Sequence, residues 1–310
     1  MAGLVAILCS GQGGQHPAMF DLVANCPEAE PIFAAAAGVL GQDPRRFVRE
    51  AAPADLFSDL SGQILCCTQA LAAWAALGTV PPARIVIAGY SVGELAGWGC
   101  AGALDGPGTL RLAQRRAALM DAAAPSDSGL AAIVGLRRPA LEPILARHAV
   151  SIAIVDDVDS FVVGGRRTGL EAACQEAAAR GARRTISLKV ALPSHTPLLG
   201  AATEQFRTVL REASPRLPRG YRLLSGIDGD TIHDIETGID KLARQISTTI
   251  DWAACLESCR SAGAEVALEL GPGTALSHMA SALFPDGRAR AVEEFRTLAG
   301  LRTWLERAMG

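Results

Sequence analysis

The stretch that most constrains this chain is residues 84–101, RIVIAGYSVGELAGWGCA. Arg84-Ile85-Val86-Ile87-Ala88 is a short β-branched run that reads as a buried strand, and Glu94-Leu95-Ala96 opens a helix-favouring segment. Between them Gly89-Tyr90-Ser91-Val92-Gly93 matches GxSxG at a strand-to-helix turn, where a nucleophile elbow sits. Such a turn exposes the Ser91 hydroxyl, and glycines two residues to each side let neighbouring backbone pass without a Cβ clash. The Val92 amide, at the helix N-terminus, points where an oxyanion would form. With 32 glycines in the chain the bare pattern is weak, and an ordinary tight turn is the competing reading. The strand before it and the helix after it favour a catalytic serine.

A strand feeding an elbow needs a sheet with helices to cover it, hence a sizeable core. With 310 residues, 49% hydrophobic content and 20% charge, the chain has the apolar material of a globular protein of one large domain or two. A net charge of −3 with dispersed arginine pairs (Arg45-Arg46, Arg115-Arg116, Arg137-Arg138, Arg166-Arg167, Arg183-Arg184) leaves no footprint for nucleic acid. The apolar run 4–9 has no basic residue before it and is too short for a signal sequence, and no segment reaches 18 uninterrupted apolar residues. The expectation is therefore a cytoplasmic protein without a membrane partner. Eight cysteines, Cys9, Cys26, Cys66, Cys67, Cys100, Cys174, Cys255 and Cys259, read as small buried hydrophobes in a reducing compartment. Cys255 and Cys259 lie four apart on an expected helix but have no further ligand nearby, so no metal site is expected.

In chain order, residues 4–8 read as a strand running into the glycine-rich loop Ser10-Gly11-Gln12-Gly13-Gly14-Gln15. His16 stands where a dinucleotide fingerprint needs its third glycine, and there is no Walker lysine. The loop can instead offer its amides and the Gln12 side-chain amide to an acyl oxygen; a plain turn is the alternative. Helices are expected over 27–40 and 61–77, and Pro81-Pro82 closes that part. Residues 109–124 form an amphipathic helix with an anomaly: Arg116 falls on the same face as Leu112, Leu119 and Met120, while Arg111 and Arg115 point elsewhere. An arginine on an apolar stripe needs an anion, either a ligand or an internal carboxylate, unless it snorkels.

After the linker 125–129 the rhythm changes to strand 130–136, helix 139–148, strands 151–155 and 160–163, helix 170–180 and strand 184–190. This β-α-β-β-α-β order is the ferredoxin-like split motif, which suggests a small domain inserted in a larger one. Residues 191–197 return the chain to the large domain, and a helix over about 198–213 follows. The polar loop with Asp228, Asp230, His233 and Asp234 lacks the spacing of a calcium loop. Residues 241–245 and 252–263 read as helix, and 266–270 as a last strand ending in Gly271-Pro272-Gly273. Glycine turns after Cys9, Ala88 and Leu270 would line one edge of an α/β sheet, where ligands bind.

A serine nucleophile needs a general base, and the chain has five histidines. His148 lies on a helix of the inserted segment, His233 in a polar loop, His278 in a helical stretch and His16 beside the glycine loop. His195 alone combines a strand exit, flanking prolines and a position after the serine in the chain. No aspartate near it is an obvious third member, and a Ser-His dyad oriented by a backbone carbonyl is equally consistent.

These motifs, ordered along nearly the whole chain, resemble the malonyl-CoA:acyl-carrier-protein transacylases and the acyltransferase domains of fatty-acid and polyketide synthases. The resemblance is carried by Gly11 to Gln15, the elbow Gly89 to Glu94, the Arg116 helix, Pro193-Ser194-His195, Arg244-Gln245 and Glu269-Leu270-Gly271-Pro272-Gly273. It implies an α/β fold: an α/β-hydrolase-like core with a parallel sheet over 1–126 and 191–310, carrying a ferredoxin-like subdomain over 127–190. It implies Ser91 as nucleophile, His195 as base, Val92 and Gln12 as oxyanion hole, Arg116 as partner of the free malonyl carboxylate, and Gln245 near the carbonyl that anchors the histidine. No cofactor is implied as permanently bound; the substrates implied are malonyl-CoA and the phosphopantetheine-type arm of an acyl carrier protein.

The sequence also departs from the family pattern. Ser10 stands where proline is usual, Gly14 where serine is frequent, Tyr90 where the elbow usually has histidine and Thr248-Thr249 where Asn-Pro is frequent, and Val155-Asp156-Asp157 lacks a common asparagine. GYSVGELAGWGCAG and HDIETGIDKLARQISTTIDWAACLESC resemble more closely the acyltransferase subunit of bacterial malonate decarboxylase, whose acceptor is a small carrier subunit with a CoA-derived thiol arm. The rival readings are the fatty-acid or polyketide transacylase, a serine thioesterase or hydrolase, and a non-catalytic docking subunit.

Overall fold

The computed structural model describes residues 3–78, 85–190 and 192–309. Pro81-Pro82, Arg84 at the expected start of the elbow strand, and Ala191 at the expected return to the large domain lie outside the described residues.

The chain begins with β1 (Leu4–Cys9), then α1 (Glu30–Leu40), α2 (Pro44–Glu50), α3 (Pro53–Leu56) and α4 (Asp59–Leu77). β2 (Ile85–Gly89) leads into α5 (Val92–Cys100) and α6 (Gly106–Ala123). The middle of the chain supplies β3 (Ser128–Val134), α7 (Arg138–Arg147), β4 (Ser151–Asp157), β5 (Ser160–Arg166), α8 (Arg167–Ala179) and β6 (Arg184–Ser187). The remainder is α9 (Gly200–Glu212), β7 (Arg222–Leu223), α10 (Ile235–Arg244), β8 (Ile250–Asp251), α11 (Trp252–Ser261), β9 (Ala264–Glu269), α12 (Ala275–Ala280), β10 (Ala289–Ala291) and α13 (Leu298–Met309).

The first sheet has the order β10-β9-β1-β2-β7, and every pairing in it is parallel. A parallel sheet is covered on both faces, which explains why β1 reads LVAILC without polar alternation. Val5, Ile7 and Cys9 enter one core, with Ile85 and Ile87 of β2; Ala6 and Leu8 enter the other, with Val86 and Ala88. α4 crosses the first core. It is long and apolar enough to cross a membrane by length and composition, but 83% of its apolar window is buried inside the protein. Because β1, β2 and β9 run parallel, the loops leaving Cys9, Gly89 and Glu269 emerge at one edge, as the glycine turns led us to expect.

The second sheet has the order β6-β3-β5-β4-β8. Each of its first four strands runs antiparallel to its neighbours among them, in the ferredoxin-like arrangement, with α7 and α8 packed on one face through Leu141, Ile144, Leu145, Leu170, Ala173 and Ala177. Its other face joins the second core of the parallel sheet through Leu130, Ile154 and Val162, around Trp252. The fifth strand, β8, comes from beyond 127–190 and pairs parallel to β4.

Several expectations are corrected. The strand expected over 184–190 ends at Ser187, and β9 is followed by a further strand, β10. The helix expected from 241 begins at Ile235, because Asp234 caps it by accepting from the Thr237 amide at 2.8 Å. Asp228 and Asp230 of the polar loop lie 2.6 and 3.2 Å from Lys241 Nζ, so a lysine occupies the acidic pair.

Candidate active site

Ser91 sits between β2 and the first turn of α5 with φ 57° and ψ −124°, a region that costs a residue with a side chain of order 1–3 kcal/mol. The turn is held by close backbone packing. A Cβ on Gly89 would lie 2.1 Å from the Glu94 nitrogen, and one on Gly93 would lie 2.0 Å from the Cys9 carbonyl oxygen. The sharp turn turns the hydroxyl toward His195, whose Nε2 lies 2.8 Å from Ser91 Oγ. His195 is 2% exposed and also has positive φ, 62°, and its own amide is tied to the Ile246 carbonyl at 2.8 Å. Its Nδ1 lies 2.6 Å from the Gln245 carbonyl. A carbonyl only accepts, so we assign the proton to Nδ1 and the lone pair to Nε2, facing the serine. Burial and the nearby Arg116 charge, against the opposing pull of that carbonyl, hold the imidazole down at about 3. A backbone carbonyl thus fills the place a triad carboxylate would take.

Gln245, just past α10, links the parts of the site. Its Nε2 donates to the Ser91 carbonyl at 3.0 Å and to Glu94 Oε2 at 2.6 Å, and its Oε1 accepts from Arg116 Nη2 at 3.0 Å. Arg116 is fully buried, as the apolar stripe on α6 required, while Arg111 and Arg115 are exposed. Its Nη1 donates to Gln63 Oε1 at 2.8 Å, and its Nε has no partner. Among the described residues no carboxylate is in ion-pair contact with it, so the internal salt bridge weighed as its alternative explanation is not formed. Burial lowers the Arg116 pKa, opposed by Asp59, Cys67 and Glu94. Burial likewise raises Glu94 to about 7 and Asp59 to about 6.

The two expected oxyanion donors are placed differently. Val92 is the first residue of α5, where first-turn amides lack intrahelical acceptors. The Gln12 side chain is engaged by Asp59: Nε2 donates to the Asp59 carbonyl at 3.3 Å and to Asp59 Oδ1 at 3.1 Å. With its side-chain amide so engaged, the backbone amide is the other donor Gln12 can offer. The loop does lie against the elbow, since a Cβ on Gly11 would be 2.8 Å from the Tyr90 carbonyl oxygen and 3.4 Å from Ser91 Cβ. The other histidines are elsewhere: His16 pairs with Glu293 at 2.7 Å, His148 with Glu176 at 2.9 Å, and His233 and His278 are exposed.

Asp59, Gln63 and Glu94 join the site although none was expected there from the sequence. The signals were present: Asp59 and Gln63 are polar residues one turn apart on an apolar helix, and Glu94 is the lone charge in α5. Two departures from the family pattern are also partners, since the Tyr90 hydroxyl donates to Asp156 Oδ1 at 3.0 Å. The arrangement can activate a hydroxyl, receive an oxyanion at a helix N-terminus and meet a carboxylate with a buried guanidinium.

Residues 64–280 match the acyl transferase domain family. The malonyl CoA-acyl carrier protein transacylase of Escherichia coli K12 is 28% identical over 309 residues, an alignment covering 95% of this chain and 97% of that protein. Among solved structures, an acyl carrier protein S-malonyltransferase from Vibrio cholerae superposes with a TM-score of 0.86 at 28% identity, covering 96% of this chain and 99% of that one. A malonyl-transacylase in complex with its type II PKS acyl-carrier protein superposes with a TM-score of 0.88 at 26% identity, covering 98% and 99%.

Proposed function

Because the chain belongs to the acyl transferase domain family, matched over residues 64–280, we propose that it moves a malonyl group from malonyl-CoA to the phosphopantetheine thiol of an acyl carrier protein. The observation that carries this reading is Gln245, which touches the serine's carbonyl, the histidine's ring and the guanidinium at once. The dyad supplies acyl transfer and the guanidinium supplies a preference for an acyl group bearing a carboxylate.

In this reading Ser91 Oγ attacks the thioester carbon as His195 Nε2 takes its proton, and the Val92 and Gln12 backbone amides meet the oxyanion. Collapse expels the CoA thiolate, which takes the proton from the imidazolium and leaves a malonyl-serine ester. The carrier thiol then gives its proton to His195 and attacks the ester carbon; the bond to Ser91 Oγ breaks, Oγ takes the proton back from the imidazolium, and the malonyl group departs on the carrier. Arg116 holds the free carboxylate with its paired Nη groups throughout. The reading divides the chain into a catalytic unit, 1–126 and 191–310, and a small subdomain, 127–190, in a soluble cytoplasmic enzyme. A thioesterase acting on neutral acyl groups has no use for the buried cation.

The names of the relatives favour an acyl carrier protein as acceptor, in one of them that of a type II PKS. A malonate decarboxylase carrier subunit is the second reading, which rests on the likeness of residues 89–102 and 233–259 to that enzyme's acyltransferase subunit. Tyr90, Asp156 and Thr249 depart from the common family pattern; Tyr90 bonds Asp156 at 3.0 Å, and Thr249 bonds the Ile152 carbonyl at 2.7 Å. The test is to incubate the protein with malonyl-CoA and both carrier types. Intact mass should show a malonyl adduct that Ser91→Ala lacks, and the carrier that becomes malonylated is the acceptor. A Ser91→Ala protein turning over at the wild-type rate would sink the reading.

A further inference from the structure

A buried guanidinium ordinarily draws a carboxylate into direct contact, because an unpaired buried charge is costly. Arg116 instead gives both Nη groups to neutral amide oxygens, Gln63 Oε1 at 2.8 Å and Gln245 Oε1 at 3.0 Å. Each amide has a carboxylate at its far end: Gln63 Nε2 donates to Asp59 Oδ2 at 2.8 Å, and Gln245 Nε2 donates to Glu94 Oε2 at 2.6 Å. A primary amide has one accepting end and one donating end, so a carboxylate on the donating end decides which end meets the guanidinium. The result is a row, Asp59–Gln63–Arg116–Gln245–Glu94, assembled from α4, α6, the end of α10 and α5. The outer carboxylates are themselves held, Asp59 by Gln12 Nε2 at 3.1 Å and Glu94 by the Gly226 amide at 3.0 Å.

We propose that Asp59, with Glu94 as its counterpart, is a positioning residue that sets substrate selectivity. It fixes the Gln63 oxygen on Arg116 and keeps the negative charge one amide away, so that the guanidinium is oriented but not neutralised by contact. This rests on the malonyl reading above and deepens it. A carboxylate touching Arg116 would compete with the substrate's own, whereas an amide oxygen is displaced without separating an ion pair. Gln245 also holds the serine and the histidine, so the Asp59 arm is the one that can be altered without disturbing the dyad.

The decisive variant is the double exchange Asp59→Asn with Gln63→Glu. It conserves net charge, approximate volume and the number of hydrogen bonds, but moves the carboxylate into contact with Arg116. The ratio of malonyl-CoA to acetyl-CoA kcat/KM should fall roughly 30-fold. Two single variants keep the test alive should the exchange not fold. Asp59→Leu removes the acceptor and should lower the ratio roughly 10-fold, whereas Asp59→Asn keeps an acceptor for Gln63 and should stay within about threefold of wild type. An exchange variant with the wild-type ratio, or equal losses for both substrates, overturns the proposal, as does Asp59→Leu matching wild type. Calorimetric binding of free malonate separates this from the transfer reading. A wild-type protein that binds malonate more tightly than the exchange variant but forms no seryl ester keeps the row and loses the transfer reading. Equal malonate binding by the two proteins overturns the row, and a wild type that neither binds malonate nor forms the ester overturns both.

Discussion

His195 is held in its basic form by its surroundings, since burial first and Arg116 second push its pKa down to about 3 from 6.5. In the free enzyme this pKa sets the acid limb of kcat/KM, so the acylation rate should stay flat well below pH 6.5 and fall only toward about 3. An apparent pKa near that of free imidazole, read from the pH dependence of burst acylation, would mean the ring is solvated. His195→Ala should slow both half-reactions by roughly 10²- to 10⁴-fold. Glu94 shifts the other way, raised to about 7 from 4.5 by burial. The folded state therefore holds more protons than the unfolded state between those values, and stability falls as pH rises through that window. Glu94→Gln removes the titration, so its change in Tm relative to wild type should be more favourable at pH 8 than at pH 5; the same difference at both values would show that burial does not penalise the carboxylate. For Arg116→Ala the loss of one partner of a buried charge pair, about 2 to 5 kcal/mol, lowers malonyl-CoA kcat/KM by roughly 30- to 4000-fold. Acetyl-CoA should be affected little. Exposed Arg115→Ala is the matched control, and an equal loss for both acyl groups in Arg116→Ala would make the arginine merely structural.

The elbow as an element depends on backbone passing against backbone. A Cβ on Gly93 would sit 2.0 Å from the Cys9 carbonyl oxygen, with no flexible side chain to yield, so Gly93→Ala should destabilise by at least the 1 to 3 kcal/mol typical of overpacking. Gly38, inside α1 with open space around it, is the control: there alanine should stabilise by about 0.5 to 1 kcal/mol. Urea midpoints for the two variants check both signs, and a Gly93→Ala protein as stable as wild type would show that the elbow can relax. The elements legible in the sequence were those with a period or a signature: β1, β2, the Arg116 helix and the split β-α-β-β-α-β run. β7 and β8 were not, because strands of two residues are set by the neighbour they pair with, not by their own pattern. α13 was readable in principle, since Leu298, Leu301, Leu305 and Ala308 follow a helical period. At the site, Ser91, His195 and Arg116 each broke a local rule, with a strained turn, a proline-flanked histidine and a cation on an apolar stripe. Asp59, Gln63 and Glu94 were marked only as polar positions on apolar helices, and which groups they bond is not visible without their partners.

In the whole molecule the two sheets meet beside the site and are joined by a few specific contacts. β8 adds to the second sheet from the main body of the chain, and Thr249 bonds the Ile152 carbonyl next to it. The Tyr90 ring, adjacent to the nucleophile, stands edge-on to Trp252 at 5.5 Å, and its hydroxyl donates to Asp156 in β4 at 3.0 Å. The elbow of one sheet is thereby anchored on a strand of the other, by two residues that both depart from the family pattern. Burial raises Asp156 to about 6 from 3.8, against the Tyr90 bond that lowers it. Tyr90→Phe removes that bond and leaves the half-buried carboxyl without its donor, which costs about 1 kcal/mol. The sign with pH follows from the raised pKa: at pH 5 the carboxyl can take up a proton and escape most of the penalty, while at pH 8 it stays charged. Tyr90→Phe should therefore lower Tm more at pH 8 than at pH 5. A double-mutant cycle with Asp156→Asn should give a coupling of about 0.5 to 1.5 kcal/mol at pH 8. Additive effects, with no coupling at either pH, would mean that the hydroxyl and the carboxylate do not bond in solution and that the sheets are held together by packing around Trp252 alone.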